Sequence, residues 1–221
     1  MGIEIGLGIT IGTGITLTPG PPLVPGDAFG GGFYAGQIGV SGVATHNLIV
    51  APLSSGEATL YWSNANSTDP AVGAASVIDG PQNTADIVAA GNSTVYPAAH
   101  FCNDLVTGGF SDWYLPATNE QEVCYYNLKP NSNFFDNGAG INPNAIPPRA
   151  SAYTNGNPAR TSAVAFQSGG SEAYNPPTTY WTSTKATGTY ARIKNFSYGG
   201  SYQQAKPSPN IRLRAIRRIA V

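Results

Sequence analysis

The stretch Gly109-Phe110-Ser111-Asp112-Trp113-Tyr114-Leu115-Pro116, with Asn119-Glu120 close behind, reads as a tight turn, a short aromatic strand halted by proline, and the start of a helix. Far along the chain, Tyr180-Trp181-Thr182-Ser183-Thr184 alternates aromatic and hydroxyl residues in the manner of a core strand. A tryptophan can stack on a sugar ring, but a large ring within such a strand belongs in an interior. Trp62, Trp113, Leu115 and Trp181 are therefore expected to build the core.

Outward from these segments, Ala117 to Leu128 reads as a helix capped by Thr118, with Glu120 and Glu122 in its first turn and Val123, Tyr126 and Leu128 on its apolar face. A second helix is expected from about Pro97 to Val106, preceded by a less regular one that Gly91 interrupts. Near the C-terminus Ile211, Leu213 and Ala215 alternate with Arg212 and Arg214, which points the arginines outward. The phase shifts at Ile216, as in a bulged strand. Between Lys129 and Thr179 Asn, Pro, Gly and Ser dominate, a long excursion of the kind that carries contacts.

With 221 residues, 41% of them hydrophobic, the chain can bury one sizeable core and carry an appendage. Only 10% are charged, while Gly (27) and Pro (18) abound, so turns and hydroxyl or amide groups replace a salt-bridged exterior. That bias suits a loop-rich β protein, or an extracellular or virion surface. A net charge of −1 creates no global field for a polyanion or a membrane surface, and neither nucleic acid nor membrane insertion is expected. Cys102 and Cys124 form either one bridge or two buried thiols. His46 and His100 stand apart without neighbouring ligands, and no metal or cofactor is expected.

The first residues have a pattern of their own. Ile3, Ile5, Leu7, Ile9, Ile11, Ile15 and Leu17 occupy odd positions, with Gly, Thr and Glu4 between them, a period-two strand signal. Gly6-Leu7-Gly8-Ile9-Thr10-Ile11 recurs as Gly12-Thr13-Gly14-Ile15-Thr16-Leu17. Glycine interrupts the apolar residues too often for a signal peptide or a membrane span. Such a strand either pairs with itself against the domain or docks as an arm by strand addition. Thr18 to Gly26, rich in proline, reads as a stiff linker. The chain thus divides into an assembly arm with linker over 1–25 and a domain over 26–221.

Along that domain stand, in order, Gly30-Gly31-Gly32-Phe33-Tyr34, Thr45-His46-Asn47-Leu48-Ile49-Val50-Ala51, Trp62, Ala98-Ala99-His100-Phe101-Cys102, Gly109 to Leu115 with Glu120, Tyr180 to Thr184, Phe196, Gly199-Gly200, and Arg212-Leu213-Arg214-Ala215-Ile216-Arg217-Arg218. This series resembles the C-terminal domain of Lcl collagen-like adhesins, a domain that also recurs in phage tail and virion proteins. The resemblance spans most of the chain beyond Gly30. It implies a C-type-lectin-like α+β fold, related to that of formylglycine-generating enzymes, with a twisted antiparallel sheet, two helices and a long loop region. Those enzymes depend on paired active-site cysteines, whereas Cys102 and Cys124 fall on predicted scaffold helices, so that chemistry does not carry over.

In the lectin-like fold the excursion is where ligands are held, which makes Tyr153, Tyr174 and Tyr180 contact candidates. Arg192, Arg212 and Arg214, with Lys194, Arg217 and Arg218, make the C-terminal part basic, suited to an acidic polysaccharide or, equally, to a solvated face or subunit contact. A calcium-dependent sugar site needs more carboxylates than Asp136 and Glu172. Asp112 and Glu120 could serve as acid and base, but turn and helix-start roles explain both, and no nucleophile, phosphate-loop or metal motif is present. A non-enzymatic virion surface protein of tail-fibre, tail or capsid-decoration type is expected. It would join other subunits through its arm as a homo-oligomer, a trimer for example, and contact a host glycan or surface protein. The alternatives are a purely structural virion subunit and a cell-surface adhesin for polysaccharide.

Overall fold

The computed structural model describes residues 7–12, 14–19, 21–64, 73–133, 139–175 and 178–221, the first two segments by their backbone. Ile3, Ile5 and Asp136 lie outside them. The architecture is mixed α+β and mostly sheet.

The alternating N-terminal run is folded back on itself. Strand β1 (Leu7–Gly12) pairs antiparallel with β2 (Gly14–Pro19) as a separate two-stranded sheet. The register sets Ile9 opposite Leu17 and Ile11 opposite Ile15, with Gly12 opposite Gly14 where the direction reverses. A fifteen-residue strand would outrun a small domain at roughly 3.3 Å per residue. The hairpin halves that length, with Leu7 to Ile11 of the first repeat copy in β1 and Gly14 to Leu17 of the second in β2.

The body has two sheets. In the first, β3 (Ala28–Phe29), β4 (Gly32–Val40), β5 (Val43–Val50) and β12 (Ile216–Ala220) lie in the order β12-β5-β4-β3, and β7 (Ala145–Ile146) also pairs with β4. In the second, β6 (Glu57–Thr59), β8 (Thr179–Lys185), β9 (Tyr190–Asn195), β10 (Ser201–Ala205) and β11 (Arg212–Arg214) are ordered β10-β9-β8-β11-β6. Neighbours are antiparallel except β11 and β8. Two strand pairs link the sheets. The chain leaves β5, makes the single turn α1 (Leu53–Gly56) and enters β6, while β11 passes into β12 at Ala215. Ala215 is bonded to both turns of chain beside it, its N–H to Gly56 and its carbonyl to the N–H of Ala51. The phase shift at Ile216 is therefore a change of sheet rather than a bulge in one strand.

Alternation assigns the strand faces to two cores. Ile49, Trp181, Ile193 and Leu213 join one core with Trp62, Trp113 and Leu115. Leu48, Val50 and Tyr180, neighbours of Ile49 and Trp181 in the chain, join the other with Ile216. Helices α2 (Gly80–Ala90) and α3 (Pro97–Asn103) supply Ile87, Ala98, Ala99 and Cys102 to the first core, and α4 (Thr118–Leu128) supplies Val123, Cys124, Tyr125 and Leu128 to the second. At the start of α4 the residue ahead of the helix is Ala117, not Thr118, and the Glu120 carboxylate accepts its N–H. Helix α4 lies on β4, where a bulge between Tyr34 and Gly36 takes Gly36 to φ +123, and a Cβ there would fall 2.3 Å from Asn127 Nδ2.

The tryptophans are fixed by their indole N–H groups. Trp62 Nε1 donates to the Thr182 carbonyl and Trp181 Nε1 to that of Leu60, each at 2.9 Å. Trp113 Nε1 points back to the turn carbonyls of Thr107 and Phe110. Phe110 itself stays at the surface, stacked on the Arg217 guanidinium.

Candidate functional site

The aromatic contact candidates are inside the protein. Tyr153, Tyr174 and Tyr180 are 4%, 0% and 0% exposed, and Tyr174 stacks on Phe196 with centroids 3.8 Å apart. They cannot offer a contact surface as they stand, which corrects the expectation placed on them. The physical reason is that the excursion is not an outlying loop: its aromatic residues fill the second core against α4 and β8.

The basic block is corrected in the same way. Arg214 is fully buried rather than outward, donating to the Glu172 carboxylate at 2.6 Å and to the carbonyls of Ala51 and Glu172. Arg212 pairs with Glu57, and Arg217 makes a two-pronged bond to Asp112 at 2.7 and 2.8 Å. Arg218 bonds Asp79. Four successive cations of β11 and β12 are thereby clasped to four other segments, and no cationic patch results from them. The Arg217 clasp also takes Asp112 out of any acid and base pair with Glu120. Arg192 remains half-exposed on β9, opposite Gln203 on β10.

A second polar cluster pins the excursion. The Glu122 carboxylate, buried on α4, accepts from Asn142 at 2.6 Å, from Tyr153 at 2.6 Å and from Arg149. Beside it Lys194 Nζ, also buried, donates to the Gly199 carbonyl at 2.7 Å and lies over the Tyr125 and Tyr153 rings. Burial pushes its ammonium down to about 8, against the pull of Glu122. This cluster is closed to solvent, and its geometry is that of a tie between α4, β9 and the excursion.

A groove of about 220 Å³ that combines apolar walls with several polar side chains lies where β4, β5, β12 and the start of α2 meet. Ile38, Val40 and Ile78 give it apolar sides, and Thr45, His46, Asp79 and Arg218 give it polar groups. Strand pairing places Ile38 opposite His46 and His46 opposite Ala220, two residues beyond Arg218. Asp79 caps α2, accepting the Gln82 N–H through Oδ1, which also receives Arg218 Nη2 at 3.0 Å. His46 Nδ1 contacts Thr45 Oγ1 at 3.0 Å. Burial, then the nearby Arg218 charge, lowers the imidazole below its ordinary value, opposed by Asp79.

Glu120 lies under this groove. Its carboxyl group is fully buried, accepts from Tyr114 Oη at 2.8 Å and from the Ala117 N–H at 2.8 Å, and stands 4.0 Å from Arg218 Nη1. Burial pushes it up to about 7, with both hydrogen bonds and Arg218 opposing. Gly80 makes room for it: a Cβ there would meet Glu120 Oε2 at 2.3 Å. Sequence reading missed Asp79 and Arg218 as partners because 139 residues separate them. No group of three or more His, Cys, Asp or Glu able to hold a metal occurs among the described residues. Compared with models of known families, with characterised proteins and with solved structures, the chain matches none.

Proposed function

We propose that this chain is a non-enzymatic virion surface protein of tail-fibre, tail or capsid-decoration type, whose domain over 26–221 has a C-type-lectin-like fold and meets the host surface. The observation that carries the reading is the β1–β2 hairpin, a sheet separate from the two sheets of the body and joined to them through a proline-rich segment. A lone two-stranded ribbon is marginal in water, and one whose aliphatic positions pair with each other needs a covering partner. Neighbouring subunits supply that cover in this reading, and the chain works as a homo-oligomer. The motif order that resembles the Lcl C-terminal domain supports the lectin-like assignment, as does the curled, largely antiparallel sheet with few helices. The clasped arginines and buried carboxylates support a recognition scaffold more than a catalytic one. Deleting residues 1–25 tests the anchoring role directly: the shortened chain should fold yet fail to enter particles. Incorporation at the full level would contradict it.

A further inference from the structure

We infer that the groove formed by β4, β5, β12 and the start of α2 binds a neutral saccharide, gripping a vicinal diol with Asp79, His46 and Arg218. The inference rests on the reading of the domain as a glycan-recognition module and gives that module a site outside the long excursion. A diol presents two hydroxyls that each donate and accept, so its receptor needs an acceptor and donors at close quarters. Asp79 Oδ2 is such an acceptor: among the described residues it has no hydrogen bond, since Gln82 and Arg218 both use Oδ1. His46 Nε2 likewise has no partner among the described residues, its Nδ1 being turned to Thr45. Arg218 gives Nη2 to Asp79 and leaves Nε without a hydrogen bond among the described residues.

These groups are held before any ligand arrives. Asp79 is fixed by the helix start, and Arg218 by its hydrogen bond to Asp79. Such preorganisation lowers the ordering cost of binding. Ile38, Val40 and Ile78 offer apolar surface to the C–H groups of a ring. Charge selects the class of sugar. Arg218 and Asp79 cancel, and His46 is held toward its neutral form. An acidic saccharide would find no unpaired cation among the groove's lining residues, where Arg218 is already matched by Asp79, whereas a neutral one needs none.

The test is a titration of the full chain, isotope-labelled, with the methyl glycosides of mannose, galactose, glucose and rhamnose, with N-acetylneuraminic acid as the acidic control. Saturable shifts of the Gly39, Thr45 and His46 amides and of the Arg218 Nε–H are expected with at least one neutral glycoside and not with the acid. Asp79→Asn, which keeps a helix-capping oxygen, and His46→Phe should each weaken that binding about fivefold or more, since a good hydrogen bond to a neutral partner is worth on the order of 1 kcal/mol and a charged one more. Shifts confined to other residues, or absent with every neutral glycoside, would overturn the site. Binding of the intact chain to susceptible cells separates the two claims. Binding undiminished in both variants overturns the groove and leaves the recognition reading standing, whereas wild-type protein that binds no cell overturns the recognition reading itself.

Discussion

Glu120 places a carboxyl group in the interior and leaves it with donors but only a distant cation, and this makes its protonation a property of the fold. Its folded-state value is raised above the ordinary glutamate range, to about 7. A raised acid means that the folded chain binds the proton more tightly than the unfolded chain. The stabilisation is complete below the ordinary value and is lost as pH rises through about 7. A difference of this size corresponds to about 3 kcal/mol. Glu120→Gln should therefore flatten the difference in stability between pH 5 and 8, measured by denaturant titration against the wild type, while Gly80→Ala should destabilise at all pH values by crowding the same carboxyl. Cys102 and Cys124 are both free and buried, and burial raises both thiols. A thiol reagent should label neither in the native protein and both after denaturation. One labelled thiol in the native state would contradict their placement.

At the scale of elements, the final strands carry the most consequence. Arg214 crosses the interior from β11 to the Glu172 carboxylate, and removing one member of a buried pair costs about 3–5 kcal/mol. Arg214→Ala should lose that much in a denaturant titration, and Arg214→Met, which restores volume, should still leave Glu172 unpaired and remain well below wild type. Strand β8 predicts a similar scale by another cause: Trp181→Ala opens the first core and should cost about 3–5 kcal/mol. The elements differed in how plainly the sequence announced them. Trp113, Trp181 and the helices near Pro97 and Thr118 follow from local pattern, because periodicity and proline act over neighbouring residues. The inward turn of Arg214 does not, since Glu172 lies 42 residues away and alternation alone sends that side chain to solvent. Tyr174 and Tyr180 were misplaced for the same reason: a polar, proline-rich context hid that Phe196 and α4 would enclose them. The groove was illegible because its pieces come from β5, α2 and β12, and only the fold assembles them.

At the scale of the whole molecule, the account rests on the hairpin and the body having different tasks. The body closes on two cores, and the arginines of its last two strands are held in clasps to other segments. The hairpin stands as a sheet of its own, its aliphatic positions paired strand to strand. An arm of this kind should make association independent of the domain's ligand and sensitive to charge. Ile11→Asp should dissociate the oligomer without changing the melting of the body, because the substitution lies in β1. The central claim is tested most directly by the mass in solution of the full chain beside residues 26–221, measured by light scattering. The account predicts an oligomer for the full chain and a folded monomer for the shortened one. A full-length monomer, or an oligomer that survives removal of the arm, would contradict it.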